Sequence, residues 1–474
     1  MTNHIDTDIC VIGAGSGGLS VAAGAAQMGA DTVLIERGKM GGDCLNYGCV
    51  PSKALIAASR TAQAVRRGAR FGVNGHEPAI DFAAVHDHVH GVIAAIAPID
   101  SVERFEGLGV RVIQASARFT GRDTVAAGDA VIRARRFVVA TGSTAAVPPI
   151  PGLDEVPYLT NETIFDNRVQ PDHLIVIGGG PIGLEMAQAH RRLGSRVTVL
   201  EKFSIMPKDD AELVDLVRRS LVRDGIELRE GADIARVEKS GNGIAVIVSN
   251  GGGERRLEAS DVLVAAGRRI NVDGLDLDKA GVDHDSTGIR VDARLRTSNR
   301  KIFAAGDVAG GHQFTHLAGY HAGIIIRNAL FRLPAKVDTH ALPWVTFTDP
   351  ELAQVGLNEA QARERHGDIR VLRWSFHDND RAQAERETEG LVKAIATPRG
   401  RILGAGIVGP HAGEVIQTWV LAMSQRLKVG AIANMIAPYP TLGEVSKRAA
   451  GSFYVPSLFS DRTRKIVRLL ARFG

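Results

Sequence analysis

The order of apolar and polar positions near the N-terminus predicts a strand, a glycine turn, a helix and a second strand. The first apolar run, Ile9–Ile12, is followed by three glycines with GxGxxG spacing: Gly13, Gly15 and Gly18. A helix is expected to run to about Met28, and a second apolar run, Thr32–Ile35, ends at Glu36. Cys10 falls within the first strand, where a buried structural thiol is expected.

This order of elements suits a dinucleotide. The first glycine permits a tight turn, the second lets the backbone approach a pyrophosphate, and the third lets helix and strand pack closely. The helix N-terminus then faces the phosphates, and Glu36 can accept a hydrogen bond from a ribose hydroxyl. The segment therefore predicts a βαβ dinucleotide-binding unit.

The same pattern recurs in "HLIVIGGGPIGLEMAQAHRRLGSRVTVLEK". Its glycines have the same spacing, and Glu201 stands where Glu36 stands in the first copy: Gly178, Gly180 and Gly183. Two such sites in one chain predict electron transfer between two cofactors. The alternative is a duplicated domain in which one site has lost its ligand.

Strand-like runs and glycines divide the rest of the chain. "RRFVVATGSTAAVPPIPG" places Thr141, Gly142 and Ser143 after an apolar run and predicts a domain boundary near residue 150. "DVLVAAGRRINVDGL" (261–275) predicts a return to the first domain, where Gly306 and Asp307 end another strand. From residue 341 strands and helices alternate without phosphate-binding glycines, which predicts a third domain.

Composition narrows the functional class. The chain has 474 residues, of which 23% are charged and 45% are hydrophobic, a composition typical of a soluble multidomain protein. Its formal net charge of +4 is small for this length and gives no reason to expect nucleic-acid binding. The N-terminus lacks the features of a signal peptide. No run of about 18 apolar residues is seen, so we expect no membrane span and a cytoplasmic protein.

Two of the three cysteines, Cys44 and Cys49, lie close together in "GGDCLNYGCVPSK". Zinc would require further ligands of suitable spacing, and a static disulfide would close only a short loop, so a redox couple is favoured over both. Five residues of helix span about 7.5 Å, beyond disulfide reach, so the segment must be distorted or must straddle a helix start. Gly48 and Pro51 suit such a start.

Five motifs, "CLNYGCVPSK", "VIGGGPIGLE", "VLVAAGRRINVDGL", "IFAAGDV" and "FTDPELAQVGL", occur in an order that resembles the pyridine nucleotide–disulfide oxidoreductases. That family includes dihydrolipoamide dehydrogenase, glutathione reductase and mercuric reductase, and the resemblance covers nearly the whole chain. It implies an α/β fold with two Rossmann-like domains and a C-terminal α+β interface domain. FAD would bind residues 1–150 with the return segment 271–340, NAD(P)H would bind 151–270, and residues 341–474 would form a homodimer whose active site is shared.

The resemblance also assigns residue roles. Cys49 would be the charge-transfer thiolate nearest the flavin, Cys44 the interchange thiol that meets substrate, and Lys53 and Glu185 a pair beside flavin N5. The predicted flavin-binding residues are Gly13, Gly15, Gly18, Glu36, Gly42, Lys53, Ala117, Thr141, Gly142, Ser143, Gly306 and Asp307. The predicted nicotinamide-binding residues are Gly178, Gly180, Gly183, Glu201, Gly267 and Arg268. No resident metal is expected, because the histidines lack metal-ligand spacing.

The nicotinamide preference is predicted from one carboxylate. Glu201 can accept a bond from a ribose 2′-hydroxyl and repels a 2′-phosphate. Lys202 follows it and moderates this effect. NADH is therefore expected to be preferred over NADPH.

The chain departs from the family at the proton-transfer histidine. In "APYPTLGEVSKRAAG", Pro440, Thr441 and Glu444 match the family motif, but Tyr439 stands where histidine is usual. Tyrosine has a pKa near 10, against about 6.5 for histidine, so it is a poor base at neutral pH. This favours reduction of an acceptor over oxidation of a dithiol. Asp43 also replaces a small polar residue in "GGDC".

Three functions therefore compete. The leading prediction is an FAD-dependent NAD(P)H:disulfide or soft-acceptor reductase, similar to mercuric reductase but without cysteines near the C-terminus. The second is a dihydrolipoyl dehydrogenase that tolerates Tyr439. The third is a membrane-associated redox-sensing flavoprotein.

The C-terminal stretch "RTRKIVRLLARFG" predicts a basic amphipathic helix. Ile466, Leu469, Leu470 and Phe473 recur at helical spacing and form one apolar face. A helix of this kind can lie on an anionic membrane. The favoured expectation is instead that it packs on the third domain or on the partner subunit, supports the dimer and leaves the enzyme soluble.

Overall fold

The computed structural model describes residues 3–241, 243–249 and 253–473. In these residues the strands are β1 (Asn3–Ile12), β2 (Thr32–Glu36), β3 (Val110–Gln114), β4 (Ala117–Gly121), β5 (Thr124–Ala127), β6 (Ala130–Val139), β7 (Ser143–Ala145), β8 (His173–Ile177), β9 (Arg196–Glu201), β10 (Glu227–Glu230), β11 (Asp233–Ser240), β12 (Gly243–Ser249), β13 (Glu254–Ala259), β14 (Asp261–Val264), β15 (Arg268–Ile270), β16 (His284–Asp285), β17 (Gly288–Ile289), β18 (Ile302–Ala304), β19 (Pro343–Thr346), β20 (Glu351–Gly356), β21 (Arg370–Ser375), β22 (Leu391–Ala396) and β23 (Ile402–Gly409).

The α-helices of the same residues are α1 (Ser16–Gln27), α2 (Gly42–Asn46), α3 (Cys49–Arg67), α4 (Phe82–Ile96), α5 (Val102–Gly107), α6 (Pro181–Arg192), α7 (Ala211–Arg223), α8 (Leu277–Ala280), α9 (Thr315–Ala329), α10 (Glu359–His366), α11 (Asp380–Glu385), α12 (Ala412–Val415), α13 (Gln417–Ser424), α14 (Val429–Ala433), α15 (Glu444–Ser452), α16 (Val455–Leu458) and α17 (Asp461–Leu470). The chain forms two compact units. One comprises the described residues up to Lys202 with Arg229–Val337, and the other comprises Phe203–Leu228 with the described residues from Asp338 onward.

The first unit contains both fingerprints. Its larger sheet has the order β3-β2-β1-β6-β5-β4, and β18 also pairs with β6. Strands β1, β2, β3, β6 and β18 are joined by parallel pairing, while β4 and β5 form an antiparallel extension. The strand–glycine–helix–strand order predicted around the first fingerprint is confirmed by β1, α1 and β2.

The second fingerprint begins at the end of β8. This strand pairs in parallel with β9 and β14, and its five residues are all buried. Fully buried parallel strands are expected to be continuously apolar, as "LIVI" is. An antiparallel meander, β11-β12-β13, belongs to the same unit. Both glycine loops therefore lie at the carboxyl end of a buried parallel strand.

The second unit is built on an antiparallel sheet of order β19-β20-β23-β22-β21. Helix α7 packs on β20 and β23 of this sheet. Lys393 of β22, which is 5% exposed, lies 2.8 Å from a carboxylate oxygen of Asp210, of Glu212 and of Glu359. A buried ammonium is tolerated only with such compensation, and these ion pairs fix the start of α7 to the sheet.

The C-terminal helix is present but is not packed as expected. Ser460 caps α17 by accepting from Thr463 N, and Thr463 Oγ1 donates to Ser457 O (2.7 Å), so local bonds fix α17 to α16. None of the residues of α17 is buried. The expectation that its apolar face packs on the third domain is therefore wrong for the chain as described. The partner-subunit alternative stays a prediction.

One helical stretch in the described residues, Phe82–Gly107, is long and apolar enough on length and composition to cross a membrane. It is not one continuous α-helix: α4 ends at Ile96, a short 3₁₀ segment follows, and α5 begins after Ser101. Pro98 lies in that interruption. The stretch is thus weak grounds for a membrane span.

Candidate active site

The first glycine loop has the close approach and the open space that its pattern predicts. A Cβ added to Gly18 would lie 1.8 Å from Gly13 O, so only glycine allows α1 to pack this tightly on the loop. A Cβ added to Gly15 would meet nothing within 4 Å, so the loop backbone faces open space. That combination is a cradle in which backbone amides can approach a pyrophosphate.

The second glycine loop repeats this geometry. A Cβ at Gly183 would lie 2.1 Å from Gly178 O, whereas one at Gly180 would meet nothing within 4 Å. Both loops therefore keep the shape that a dinucleotide needs, and the alternative of one degraded copy gains no support from the backbone.

The two acidic residues that end the second strand of each fingerprint occupy equivalent places. Glu36 Oε2 accepts from Ala14 N (2.6 Å), and Glu201 Oε2 accepts from Gly179 N (2.7 Å). Each carboxylate is thus held at the mouth of its glycine loop. The residues fit a ribose hydroxyl at both places, because a carboxylate oxygen can accept from it.

Other residues of the predicted flavin set lie in one hydrogen-bonded group. Ser143 Oγ donates to Asp307 Oδ2 (2.5 Å), and Thr141 Oγ1 donates to Asn271 O (2.6 Å). His321, which is buried, accepts from Gly306 N through Nδ1 (3.2 Å). Burial lowers the pKa of His321, which keeps this nitrogen unprotonated and able to accept.

Gly42, Ala117, Gly142 and Gly267 also belong to the predicted cofactor sets, and Gly142 O accepts from Asn271 N (3.0 Å). Gly42 lies against the first loop, where an added Cβ would be 2.7 Å from Gly15 Cα. Ala117 begins β4 and pairs with Ala127 in the sheet extension. Gly142 (φ +66°) and Gly267 (φ +136°) both have left-handed backbones in the segments that lead into β7 and β15.

The cysteine pair lies across a helix start, as predicted. Cys44 belongs to α2, Cys49 is the first residue of α3, and Gly48 precedes it. Pro51 falls in the first turn of α3, where its missing N–H costs no helical hydrogen bond. Both cysteines are free thiols in the structure.

Cys49 is the acidic member of the pair. A hydrogen bond from Cys44 is the largest cause that lowers the pKa of Cys49 to about 6, and Thr315 and Lys53 lower it further while burial opposes them. Thr315 Oγ1 lies 3.4 Å from Cys49 Sγ and begins α9. The same bond and burial raise the pKa of Cys44 well above its usual range. The pair therefore divides into a thiolate at 49 and a thiol at 44.

The predicted ion pair is present. Lys53 Nζ lies 2.8 Å from Glu185 Oε2, which joins α3 to α6 of the second fingerprint. The Glu185 side chain is 6% exposed, so its charge needs this partner. Because Lys53 also stabilises the Cys49 thiolate, the pair connects the second fingerprint to Cys49. The role of the pair beside flavin N5 stays a prediction.

Asp43 belongs to a network that the sequence did not predict. Buried Asn161 donates to Asp43 Oδ1 (3.0 Å) and to Tyr47 O (3.2 Å), bridging the segment between the two cysteines. Arg268 lies 3.2 Å from Asp43 Oδ1 and donates to Ser143 O (2.8 Å).

Arg268 was assigned to the nicotinamide site, yet its side chain contacts residues assigned to the flavin site. Its Nε donates to Ser143 Oγ (2.7 Å) and lies 3.9 Å from Asp307 Oδ2. One guanidinium therefore connects Asp307, a predicted flavin-binding residue, to Asp43, which lies next to Cys44.

Tyr439 lies in the second unit and has a partner that the sequence did not identify. Its hydroxyl donates to Asp380 Oδ2 (2.9 Å) at the start of α11. This bond is the largest cause that raises the pKa of Tyr439, and the charge of Glu444 raises it further. Asn379 donates to Thr441 O (3.1 Å), which fixes the neighbouring loop. Tyr439 thus keeps its proton at neutral pH.

Comparison with known proteins agrees with this geometry. The family model for pyridine nucleotide-disulphide oxidoreductases matches residues 7–322, and the model for the dimerisation domain of the same family matches residues 342–450. A mercuric reductase of Bacillus cereus is 36% identical over 95% of the chain and 72% of its own length. A dihydrolipoyl dehydrogenase of Geobacillus stearothermophilus is 34% identical over 94% of the chain and 96% of its own length.

A solved structure of similar fold is the Cu(II) complex of the HOCl-induced flavoprotein disulfide reductase RclA from Escherichia coli. It superposes with a TM-score of 0.84 and 27% identity, covering 93% of this chain and 98% of that one.

Proposed function

Because the chain belongs to the pyridine nucleotide-disulphide oxidoreductase family, we propose that it reduces a soft metal ion or a small disulfide with electrons from NADH. The family consists of FAD-dependent enzymes that act on disulfide and related sulfur groups, so FAD dependence and the redox class are shared properties. The acceptor, the nicotinamide preference and the direction are the parts that we infer from this chain's own residues.

When bound, FAD would supply two-electron transfer between the nicotinamide and the Cys44–Cys49 disulfide. The glycine loop after β1, Glu36 and the Ser143–Asp307 pair are the residues that would hold it. Reduction of the disulfide leaves a thiolate at Cys49 and a thiol at Cys44, consistent with the pKa directions of the two sulfurs.

The observation that carries the choice of acceptor is the bond from Tyr439 to Asp380. Because the pKa of Tyr439 is raised, this residue cannot remove the proton from Cys44 at neutral pH as a histidine could. A disulfide acceptor requires a Cys44 thiolate as nucleophile. A thiophilic metal ion displaces the thiol proton itself on coordination, so it needs no base. The site therefore favours a soft metal acceptor over a disulfide.

The similar proteins support the choice of a soft metal ion as acceptor. Mercuric reductases and a disulfide reductase solved with Cu(II) are among the similar proteins. Residues 50–474 contain no cysteine, and Cys44 and Cys49 are the thiols that we propose to coordinate the metal ion. With a metal acceptor, NADH is oxidised to NAD⁺ and a proton, and one ion gains both electrons or two ions gain one each. With a disulfide acceptor, NADH and one proton are consumed, and NAD⁺ and two thiols form.

An acceptor panel tests the proposal. The purified flavoprotein is supplied with NADH and with Hg(II), Cu(II), lipoamide, glutathione disulfide or quinones, each metal being added with excess small thiol. We expect a metal ion to be reduced faster than either disulfide, and dihydrolipoamide to be oxidised poorly with NAD⁺. Rapid oxidation of dihydrolipoamide would instead support the dihydrolipoyl dehydrogenase alternative.

Replacement of Tyr439 gives a sharper test. Tyr439→His restores a base with a pKa near neutrality, and general-base catalysis is worth about 10²-fold or more, so dihydrolipoamide oxidation should rise by that factor. Tyr439→Phe, the matched control, should leave that slow reaction unchanged. If His and Phe behave alike, residue 439 does not limit proton transfer and the argument from its pKa fails.

The nicotinamide preference is proposed from Glu201. Its carboxylate is fixed at the second glycine loop, where it would accept from a 2′-hydroxyl and repel a 2′-phosphate. We expect a higher kcat/KM with NADH than with NADPH. Glu201→Gln should lower the ratio of these two kcat/KM values, mainly by raising kcat/KM with NADPH. A clear NADPH preference in the unaltered enzyme would overturn this assignment.

The match to the family's dimerisation domain supports a homodimer. We infer a homodimer in which Tyr439 and Glu444 of one subunit complete the active site of the other, as the family resemblance implies. The cytoplasm, where NADH is available, is the inferred location.

A further inference from the structure

The terminal segment, defined here as Val455–Phe473, presents apolar side chains that its own chain does not cover. The four residues predicted to form one face of α17 and its extension are between 47% and 81% exposed: Ile466, Leu469, Leu470 and Phe473. Leu458 and Phe459, just before α17, are 57% and 66% exposed. An exposed apolar patch of this kind marks an interaction surface.

The opposite face of α17 is basic. Arg464, Lys465, Arg468 and Arg472 lie off the apolar face, and Arg462 precedes them. In the described part of the chain, only Arg464 among these five has an ion pair, with Asp461 at 3.7 Å. Four of the five basic side chains are thus separated from the apolar face, whereas Arg462, four residues before Ile466, lies on the apolar side in the first turn of α17.

The terminal segment also holds the positive charge of the protein. The chain has 57 basic and 53 acidic residues, and residues 462–473 contain five of the basic and none of the acidic ones. The other residues therefore carry 52 basic against 53 acidic groups, a net charge of −1. The net positive charge of the protein is concentrated in one short exposed helix.

We propose that the terminal segment binds the surface of an anionic phospholipid membrane, with α17 in the interface plane. The apolar face would insert at the boundary between the lipid headgroups and the acyl chains, while the basic face contacts the lipid phosphates. This is the arrangement of interfacial amphipathic helices. Charge complementarity favours this occupant over a second copy of the chain, because the chain outside this helix is close to neutral. A dimer would present two such helices, which raises the avidity.

This inference does not depend on the proposed acceptor. It is an alternative to the expectation that the tail supports the dimer, and it rests on the basic charge of the helix and on the exposure of α17 within its own chain. It adds peripheral binding at a membrane surface to a catalytic unit that does not itself need a membrane.

Vesicle flotation of the FAD-loaded full-length enzyme tests the proposal. Vesicles of phosphatidylcholine with phosphatidylglycerol should carry the enzyme upward, vesicles of phosphatidylcholine alone should carry far less, and added salt should weaken binding. Each basic residue near an anionic surface contributes about fivefold in affinity, so Arg464→Gln with Arg468→Gln should lower binding about 25-fold. The matched control, Arg255→Gln with Arg399→Gln, alters two exposed arginines outside the segment and should bind normally.

A second variant probes the apolar face. Leu469→Gln with Leu470→Gln should abolish flotation while leaving the flavin spectrum and NADH oxidation unchanged, which shows that the protein still folds. Absence of flotation with anionic vesicles, or equal flotation of both arginine pairs, would overturn the proposal. Dissociation of the dimer by the leucine substitutions, without any vesicle binding by the unaltered enzyme, would show that a second copy covers the face instead.

Discussion

The acidity of Cys49 can be tested by removing the hydrogen bond from Cys44 while leaving the rest of the site intact. This bond is the largest cause of the low pKa of Cys49, which is about 6. Cys44→Ser keeps a donor of similar size, whereas Cys44→Ala removes it. Both variants retain a single active-site thiol, so Cys49 can be titrated without any added reductant.

The size of the effect follows from the strength of such a bond. A hydrogen bond to a charged group contributes about 1.5–3 kcal/mol, and one pKa unit corresponds to about 1.4 kcal/mol. Removing it should raise the pKa of Cys49 by about one to two units, from about 6 to about 7–8. At pH 7 the thiolate fraction would fall from about nine-tenths to between about one-half and one-tenth.

The assay is the long-wavelength charge-transfer absorbance between the Cys49 thiolate and bound flavin, recorded against pH in both holoenzymes. The flavin acts on Cys49 equally in the two variants, so the difference between their titration midpoints reports the Cys44 donor. Equal midpoints would refute the assignment of Cys44 as the donor that sets the acidity of Cys49.

Three further predictions concern the network around the site and the second unit. Asp43→Asn removes a negative charge that raises the pKa of Cys49, so the charge-transfer band should titrate at lower pH than in the unaltered enzyme; an upward shift would contradict the proposed geometry. His321 has a pKa lowered by burial, so it contributes stability above the ordinary value of about 6.5 and loses it as pH falls. The thermal unfolding temperature of the holoenzyme should therefore fall on mild acidification, and His321→Gln should make that temperature less dependent on pH. Lys393→Met leaves three carboxylates without their shared ammonium and should lower the free energy of unfolding by about 3–5 kcal/mol in denaturant, whereas exposed Lys428→Met should change it by less than about 0.5 kcal/mol.

The local order of elements was readable from the sequence wherever spacing carries it. Glycine spacing and the apolar runs predicted β1, α1 and β2, because each feature acts over a few residues. The disulfide-reach argument for Cys44 and Cys49 predicted either a distorted segment or a helix start, and the structure shows the helix start. The Lys53–Glu185 pair came from family resemblance alone, since periodicity cannot connect residues 132 positions apart.

Partners fixed by tertiary structure were missed. Tyr439 and Asp380 lie 59 positions apart, and both are polar residues of exposed loop or helix-start segments, which carry no periodic signal. The bonds from Asn161 and Arg268 to Asp43 likewise depend on how distant segments meet. The sequence predicted which residue types carry the chemistry, whereas the electrostatic control of those residues required the fold.

The exposed C-terminal helix shows another limit of the pattern. Its apolar spacing predicted α17 correctly, but amphipathicity alone does not say what the apolar face contacts. The two expectations, packing within the chain and packing on a partner, shared one sequence signature. Only the exposure of the α17 side chains in the structure excludes packing within the chain.

In the proposed reaction, electrons from NADH arrive on Cys44 and Cys49. The decisive measurement counts accessible thiols in the oxidised enzyme before and after anaerobic reduction with one equivalent of NADH. We predict a gain of two thiols per subunit, those of Cys44 and Cys49, together with a long-wavelength absorbance that Cys49→Ser abolishes. Bleaching of the flavin with no gain in thiols, and with the same spectrum in Cys49→Ser, would contradict the account.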